Sequence, residues 1–108
     1  MKRVRLPELA EVIRSKNAGP YELTFDIIFK TREIFEQVAA RKIITPELIA
    51  RLYKIPLEKV ISVVEFAPAK AIKATVVRPL ACGDVGDSDV YGAQQHGPLL
   101  EVELDWDQ

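Results

Sequence analysis

Residues 21–29, Tyr-Glu-Leu-Thr-Phe-Asp-Ile-Ile-Phe, constrain the fold more than any other stretch of this chain. Tyr21, Leu23, Phe25, Ile27 and Phe29 alternate with Glu22, Thr24, Asp26 and Ile28. A helix would scatter those large apolar side chains around its circumference, whereas an extended strand sets them all on one side. A chain that contains such a strand has to build a sheet and cover its apolar face. The last residues repeat the pattern, with Leu100, Val102, Leu104 and Trp106 on one face and Glu101, Glu103, Asp105 and Asp107 on the other.

The remaining elements are read around these two strands. Val4 and Leu6 alternate with Arg3 and Arg5, a short candidate edge strand. Pro7 and Glu8 suit the first turn of a helix, Leu9, Val12 and Ile13 form its stripe, and Asn17-Ala18-Gly19-Pro20 ends it. Thr31 is placed to cap a second helix with the stripe Ile34, Phe35, Val38 and Ala39. Thr45-Pro46-Glu47 starts a third, with Leu48, Ile49, Leu52 and Tyr53 inward and Pro56 interrupting it. The β-branched runs Val60–Phe66 and Ala71–Val77, joined by Pro68-Ala69-Lys70, read as a hairpin. Residues 79–98 hold four of the five glycines, two prolines and three aspartates, and read as a long irregular loop. The predicted order is β-α-β-α-α-β-β-loop-β. That pattern predicts an α+β fold: one domain over residues 1–108, a mixed sheet of about four to five strands and about three helices mainly on one face.

Length and composition fit that picture. The 108 residues are 48% apolar and 29% charged, as in a single globular domain with one core. No apolar run approaches the roughly 18–20 residues that span a bilayer. The first residues meet Glu8 and Glu11 before any long apolar segment, unlike a signal peptide. One cysteine, Cys82, forms no intrachain disulfide, and with a single histidine it is too little for a zinc framework. A cytoplasmic protein that binds no membrane is the expectation. The glycine-rich phosphate loops, zinc-helix motif and nucleophile elbow are all missing from the sequence, and no cofactor is expected.

Four constellations bear on chemistry. Residues 45–60 resemble a helix-turn-helix, with Ala50, Ile55 and Val60 as its punctuation. A recognition helix needs polar side chains to read base edges, and Ile61, Val63, Val64 and Phe66 belong in a buried strand, so no nucleic-acid partner is expected. Asp84, Asp87 and Asp89, with His96, have neither the spacing nor the closing Glu of a calcium loop, and no metal site is assigned. Arg14, Lys16 and Asn17 are an anion-binding candidate beside Thr24 and Asp26 on the next strand's polar face. Against it stands the helix reading, in which these cations only answer the negative end of a helix. Gln94, Gln95 and His96 lie between glycines, offer many donors and acceptors, and include the one side chain that switches charge near neutral pH. The bland alternative is that they only order the loop.

The segments Arg14-x-Lys16-Asn17-Ala18-Gly19-Pro20, Leu23-Thr24-x-Asp26-Ile27 and Tyr91-Gly92-Ala93-Gln94-Gln95-His96-x-Pro98-Leu99-Leu100 resemble a small domain family of unknown function. Its members are free-standing or fused to the C-terminal side of acyclic terpene utilisation (AtuA-like) proteins, and the resemblance spans essentially the whole chain. It implies an accessory subunit of a larger AtuA-like partner, in catabolism of branched or other carboxylic acids beside acyl-CoA enzymes. In that reading Arg14, Lys16, Asn17, Thr24, Gln94 and Gln95 bind substrate, Lys16 meets a substrate carboxylate, and His96 or Asp26 handles a proton. No catalytic residue with a stated role is carried over from the resemblance. A non-catalytic interaction module, or a self-sufficient small lyase or isomerase, are the rival readings, and a homo-oligomer is compatible with each.

Charge is divided unevenly. Residues 1–78 carry all fifteen basic side chains and nine acidic ones, a net of +6, while residues 79–108 carry seven acidic ones and a net of −7. The acidic face of the final strand should repel itself unless basic neighbours relieve it. Arg3 and Arg5, or Lys73, are the candidates.

Overall fold

The computed structural model describes residues 2–18, 21–77 and 97–106. Strand β3 (Glu22–Phe29) is the centre of the molecule, as its alternation demands. Phe25, Ile27 and Phe29 are fully or almost fully buried, and each such side chain contributes roughly 1.5–3 kcal/mol over exposure. Beside β3 lie β2 (Ala10–Asn17) on one side and β5 (Ala71–Val77) on the other, with β4 (Val60–Phe66) outside β5. The sheet order is β2-β3-β5-β4, and every pairing is antiparallel. A second, two-stranded antiparallel sheet joins β1 (Lys2–Arg5) to β6 (Glu103–Trp106). The α+β class therefore stands, with its strands divided between two antiparallel sheets and not gathered into one mixed sheet.

Helices α2 (Arg32–Ala40) and α3 (Pro46–Tyr53) start where threonines supply oxygen to unpaired amides. The Ile34 and Leu48 amides donate to Thr31 Oγ1 and Thr45 Oγ1, each at 3.1 Å. Both helices cover one face of the large sheet. Phe35 packs on Phe29 with ring centroids 6.3 Å apart, and Tyr53 on Phe25 at 4.6 Å. Val38, Ile44 and Ile49 fill the layer between. The expected stripes are thus the ones used. Helix α3 ends at Lys54, whose φ of 56° closes it, and after Pro56 a single 3-10 turn (Leu57–Lys59) leads into β4. The helix-turn-helix resemblance at residues 45–60 has no second helix behind it.

The expected hairpin of β4 and β5 forms, closed by a 3-10 turn at Ala67–Ala69 and by Lys70 at φ 53°. Two expectations are corrected. The helix expected from Pro7 to about Asn17 is only the single turn α1 (Leu6–Leu9), where the Arg5 amide donates to Glu8 Oε2 at 2.7 Å. Residues 10–17 are strand β2. A register shift between Ala10 and Val12 and the polar Ser15 at a buried position hide its alternation. The pairing with β3 outweighs the local helical spacing of Leu9, Val12 and Ile13. The final strand likewise begins at Glu103, not Leu100, because Gly97–Leu100 form a short helix, α4. Val102, Leu104 and Trp106 are buried as expected.

The acidic face of the last strand is relieved by Arg3 and Arg5 at Glu101, Glu103 and Asp105, while Asp107 lies outside the described residues. Arg3 reaches Glu103 and Asp105, both at 3.3 Å, and Arg5 reaches Glu101 at 3.2 Å. Hydrogen bonds to Asp105 and Glu103 raise the Arg3 guanidinium above its already high ordinary value. Lys73, the other candidate, belongs to the large sheet and points its charge elsewhere. Most of the predicted loop, residues 79–96, lies outside the described residues, and with it Cys82, Asp84, Asp87 and Asp89.

Candidate functional site

Helices cover one face of the four-stranded sheet; the other carries the site. Register sets its layout. Arg14, Asp26, Lys73 and Val64 are neighbours across β2, β3, β5 and β4. Lys16, Thr24, Thr75 and Ser62 form the next row, and Val12, Ile28, Ala71 and Phe66 the row on the other side. Opposed residues share a face, so these rows make one surface that is cationic in the middle, hydroxylic on one side and apolar on the other.

Asp26 anchors it. The residue is only 5% exposed, a place where an ionised carboxylate needs partners. Arg14 Nε donates to its Oδ2 at 3.0 Å, and Lys73 Nζ lies 3.9 Å from Oδ1. Both cations are more than half exposed, so the pairs are screened on their outer side. Arg14 uses its Nε–H for this bond, one of the five N–H donors of a guanidinium. Thr24, equally buried, sits with its Oγ1 3.5 Å from Thr75 Oγ1. Lys16 is exposed opposite Thr24 and has no ion pair among the described residues. Arg14 and Lys73 flank the one carboxylate and Lys16 adds a third cation to the same face, a local surplus of positive charge.

A cavity of about 360 Å³ opens on this surface. Arg14, Lys16 and Lys73 line it on the charged side; Ile28, Val64, Phe66 and Ala71 line it on the apolar side. Val64 and Phe66 are about half exposed, at 51% and 56%. The arrangement suits a small molecule with an anionic head and a hydrocarbon body.

Of the residues expected to form a site, the structure brings together Arg14, Lys16, Thr24 and Asp26. Because β2 is a strand and not a helix, no helix dipole acts on Arg14 and Lys16, and that objection to an anion site falls away. Asn17 is not part of the cluster: its register partner is Leu23, which sets it on the helix-covered side. Gln94, Gln95 and His96 lie outside the described residues. Lys73 and the apolar row of Val64, Phe66 and Ala71 were missed. The alternation of Ala71–Val77 does put Lys73 and Thr75 on one face, but only the pairing of β5 with β3 turns that face toward Asp26. Among the described residues no group of His, Cys, Asp or Glu is placed to hold a metal ion, and no helix is long and apolar enough to cross a membrane.

A family model described as a domain of unknown function (DUF4387) matches residues 6–103. The chain belongs to this family. The DUF4387 match runs from the start of α1 to the first residue of β6, and so takes in all four strands of the large sheet and every residue of its cationic face. No curated protein and no solved structure matches the chain.

Proposed function

We propose that this DUF4387 chain is the small accessory subunit of a larger AtuA-like catabolic protein, and that it contributes polar residues to a shared site for a carboxylic acid or acyl-CoA type substrate. The observation that carries the reading is the meeting of two motif segments, Arg14-x-Lys16 and Thr24-x-Asp26, in register on the face that the helices leave open. No layer of described residues lies over that face. A surface of this kind suits a site completed by a second chain. Lys16 meets the substrate carboxylate, Asp26 holds Arg14 and Lys73 beside it, and His96 handles the proton, with Gln94 and Gln95 orienting oxygens.

One observation favours the non-catalytic alternative. Strand β4 exposes Ile61, Val64 and Phe66, apolar side chains of the kind that protein interfaces bury. A pure interaction module should lack a cleft at the motifs, however, and a cleft lies there.

Co-expression with an AtuA-like protein tests the proposal. The two chains should co-purify as a stoichiometric complex, and His96→Ala should abolish the complex's turnover of carboxylic or acyl-CoA substrates without dissociating it. Absence of a complex, or a fully active His96→Ala complex, sinks the reading. Turnover by the isolated chain would instead favour a self-sufficient lyase or isomerase.

A further inference from the structure

The four-stranded sheet ends in two edges of different character. Strand β2 carries Glu11, Arg14 and Lys16 among its eight residues, and its register shifts near Ala10. Charge and irregularity of that kind deter a further strand. At the other edge β4 reads Val-Ile-Ser-Val-Val-Glu-Phe, with Glu65 as its one charge and no proline. Its register shift lies between Val60 and Ser62, which leaves residues 62–66 as a regular edge. Ile61, Val64 and Phe66 are about half exposed, and β4 pairs only with β5 among the described residues. On the helix side this edge borders a groove of about 490 Å³, lined by Lys42, Ile44 and Pro46 and by Val63 and Glu65. Lys42 and Glu65 are exposed, and neither has an ion pair among the described residues.

A second copy of this chain matches that edge. Two identical strands can pair antiparallel about a two-fold axis, and such a pair continues an all-antiparallel sheet. With the axis at Val64, the two Val64 residues meet, Ser62 meets Phe66, and Val63 meets Glu65 of the second copy. Opposed residues then share a face in both chains, because Ser62, Val64 and Phe66 lie on the open face and Val63 and Glu65 on the helix side. Each Glu65 is set beside Val63 of the other copy, at the groove that also holds Lys42. A carboxylate and an ammonium left unpaired in one chain come to the same place in two. A single strand edge falls in the small class of interfaces, roughly under 1,200 Å² in total, whose complexes are transient.

We propose that β4 is a self-association edge, through which two copies of this chain pair antiparallel over residues 62–66 about an axis at Val64, in a weak, reversible dimer with one continuous eight-stranded sheet. Val64 and Phe66 also line the cationic cavity, so the pairing sets Ser62 and Val64 of the second copy beside that cavity and joins the two open faces. The inference does not rest on the accessory reading, which concerns a different chain.

Sedimentation equilibrium of the full chain, from low micromolar to near-millimolar concentration, should show one copy in dilute solution and a mass that levels at two. Hydrogen exchange should follow it: outward amides of residues 62–66 exchange fast in the dilute chain and slow as concentration rises. Val64→Lys sets two ammonium groups face to face at the axis and should weaken the dimer about tenfold or more. The position is exposed, so the thermal midpoint of the dilute chain should stay in place. Glu65→Lys should weaken the dimer too, and Lys42→Glu added to it should restore association. Glu11→Lys, on the β2 edge, should change nothing. At the axis the paired Cα atoms stand about 4.5–5.5 Å apart, within disulfide reach. In a Cys82→Ser background Val64→Cys should therefore cross-link two copies on oxidation, and Glu11→Cys should not. A chain that stays single throughout, a mass that climbs past two copies, association untouched by Val64→Lys, or no rescue by the double variant would each overturn the inference. Protection of β4 that arises only when an AtuA-like chain is added would give the edge to that chain, and would overturn self-pairing as well.

Discussion

Tyr53 shows how a single side chain reports on the packing around it. Its ring lies against Phe25, and burial pushes its phenol well above the ordinary value. In the unfolded chain the same phenol loses its proton near the usual value of about 10. Over the alkaline range between the two, the native state binds more protons than the unfolded state, so stability falls as pH rises. The urea midpoint should therefore drop between about pH 9 and pH 11, and the drop should be smaller in Tyr53→Phe. Equal drops in the two proteins would show that Tyr53 keeps no protected proton. Asp26 is the opposite kind of residue, a buried charge whose partners reach it from two different strands. Its presence on the polar side of β3 was legible as soon as the alternation was seen. The identity of its partners was not, because nothing local to residues 21–29 says which strands lie on either side.

At the scale of elements, local chemistry was decisive where it was complete. Thr31 and Thr45 each sit before an acidic first turn and an apolar stripe, and both caps form as those patterns imply. Thr31→Ala and Thr45→Ala should each lower stability by about 1 kcal/mol, read from chemical denaturation. A loss near zero would mean that tertiary packing alone fixes where the helices start. Strand β2 marks where local reading fails. Leu9, Val12 and Ile13 have helical spacing, and Ala18-Gly19-Pro20 resembles a helix stop. Yet the backbone of residues 10–17 bonds to β3. A hairpin turn and a helix end use the same residue types, since both need a chain reversal that glycine and proline permit. Ser15 in the core and the irregularity near Ala10 then conceal the period of two.

Across the whole molecule, one core joins both sheets. Val4, Leu104 and Trp106 of the small sheet belong to the same buried cluster as Phe25, Ile72 and Val38. Strands β1 and β6 are joined by more than charge: just beyond their pairing the Leu6 amide donates to the Val102 carbonyl at 2.8 Å, and Arg41 covers the Trp106 ring at 5.5 Å. Three of the seven acidic residues that follow residue 78 are paired in the fold with Arg3 and Arg5 from the beginning of the chain. Strand β3 has a bonded neighbour on each side, whereas β4 pairs only with β5 among the described residues. Native-state hydrogen exchange should accordingly be slowest at the Phe25 and Ile27 amides and faster by orders of magnitude at exposed edge amides of β4. Uniform protection across the sheet would point to a second chain pairing with β4.

By itself, the sequence determined the fold class, the two capped helices, the buried face of β3, the β4–β5 hairpin and the need of the last strand's acidic face for basic neighbours, with Arg3 and Arg5 or Lys73 as candidates. Each follows from a period, a cap or a charge pattern carried by neighbouring residues. Only the tertiary structure decided that residues 10–17 are a strand, that the strands divide into two antiparallel sheets, and that Arg14, Lys16, Lys73 and Asp26 form one cluster beside an apolar row. Those outcomes depend on which strand bonds to which. That choice is made by packing between residues far apart in sequence, where no local pattern carries the information.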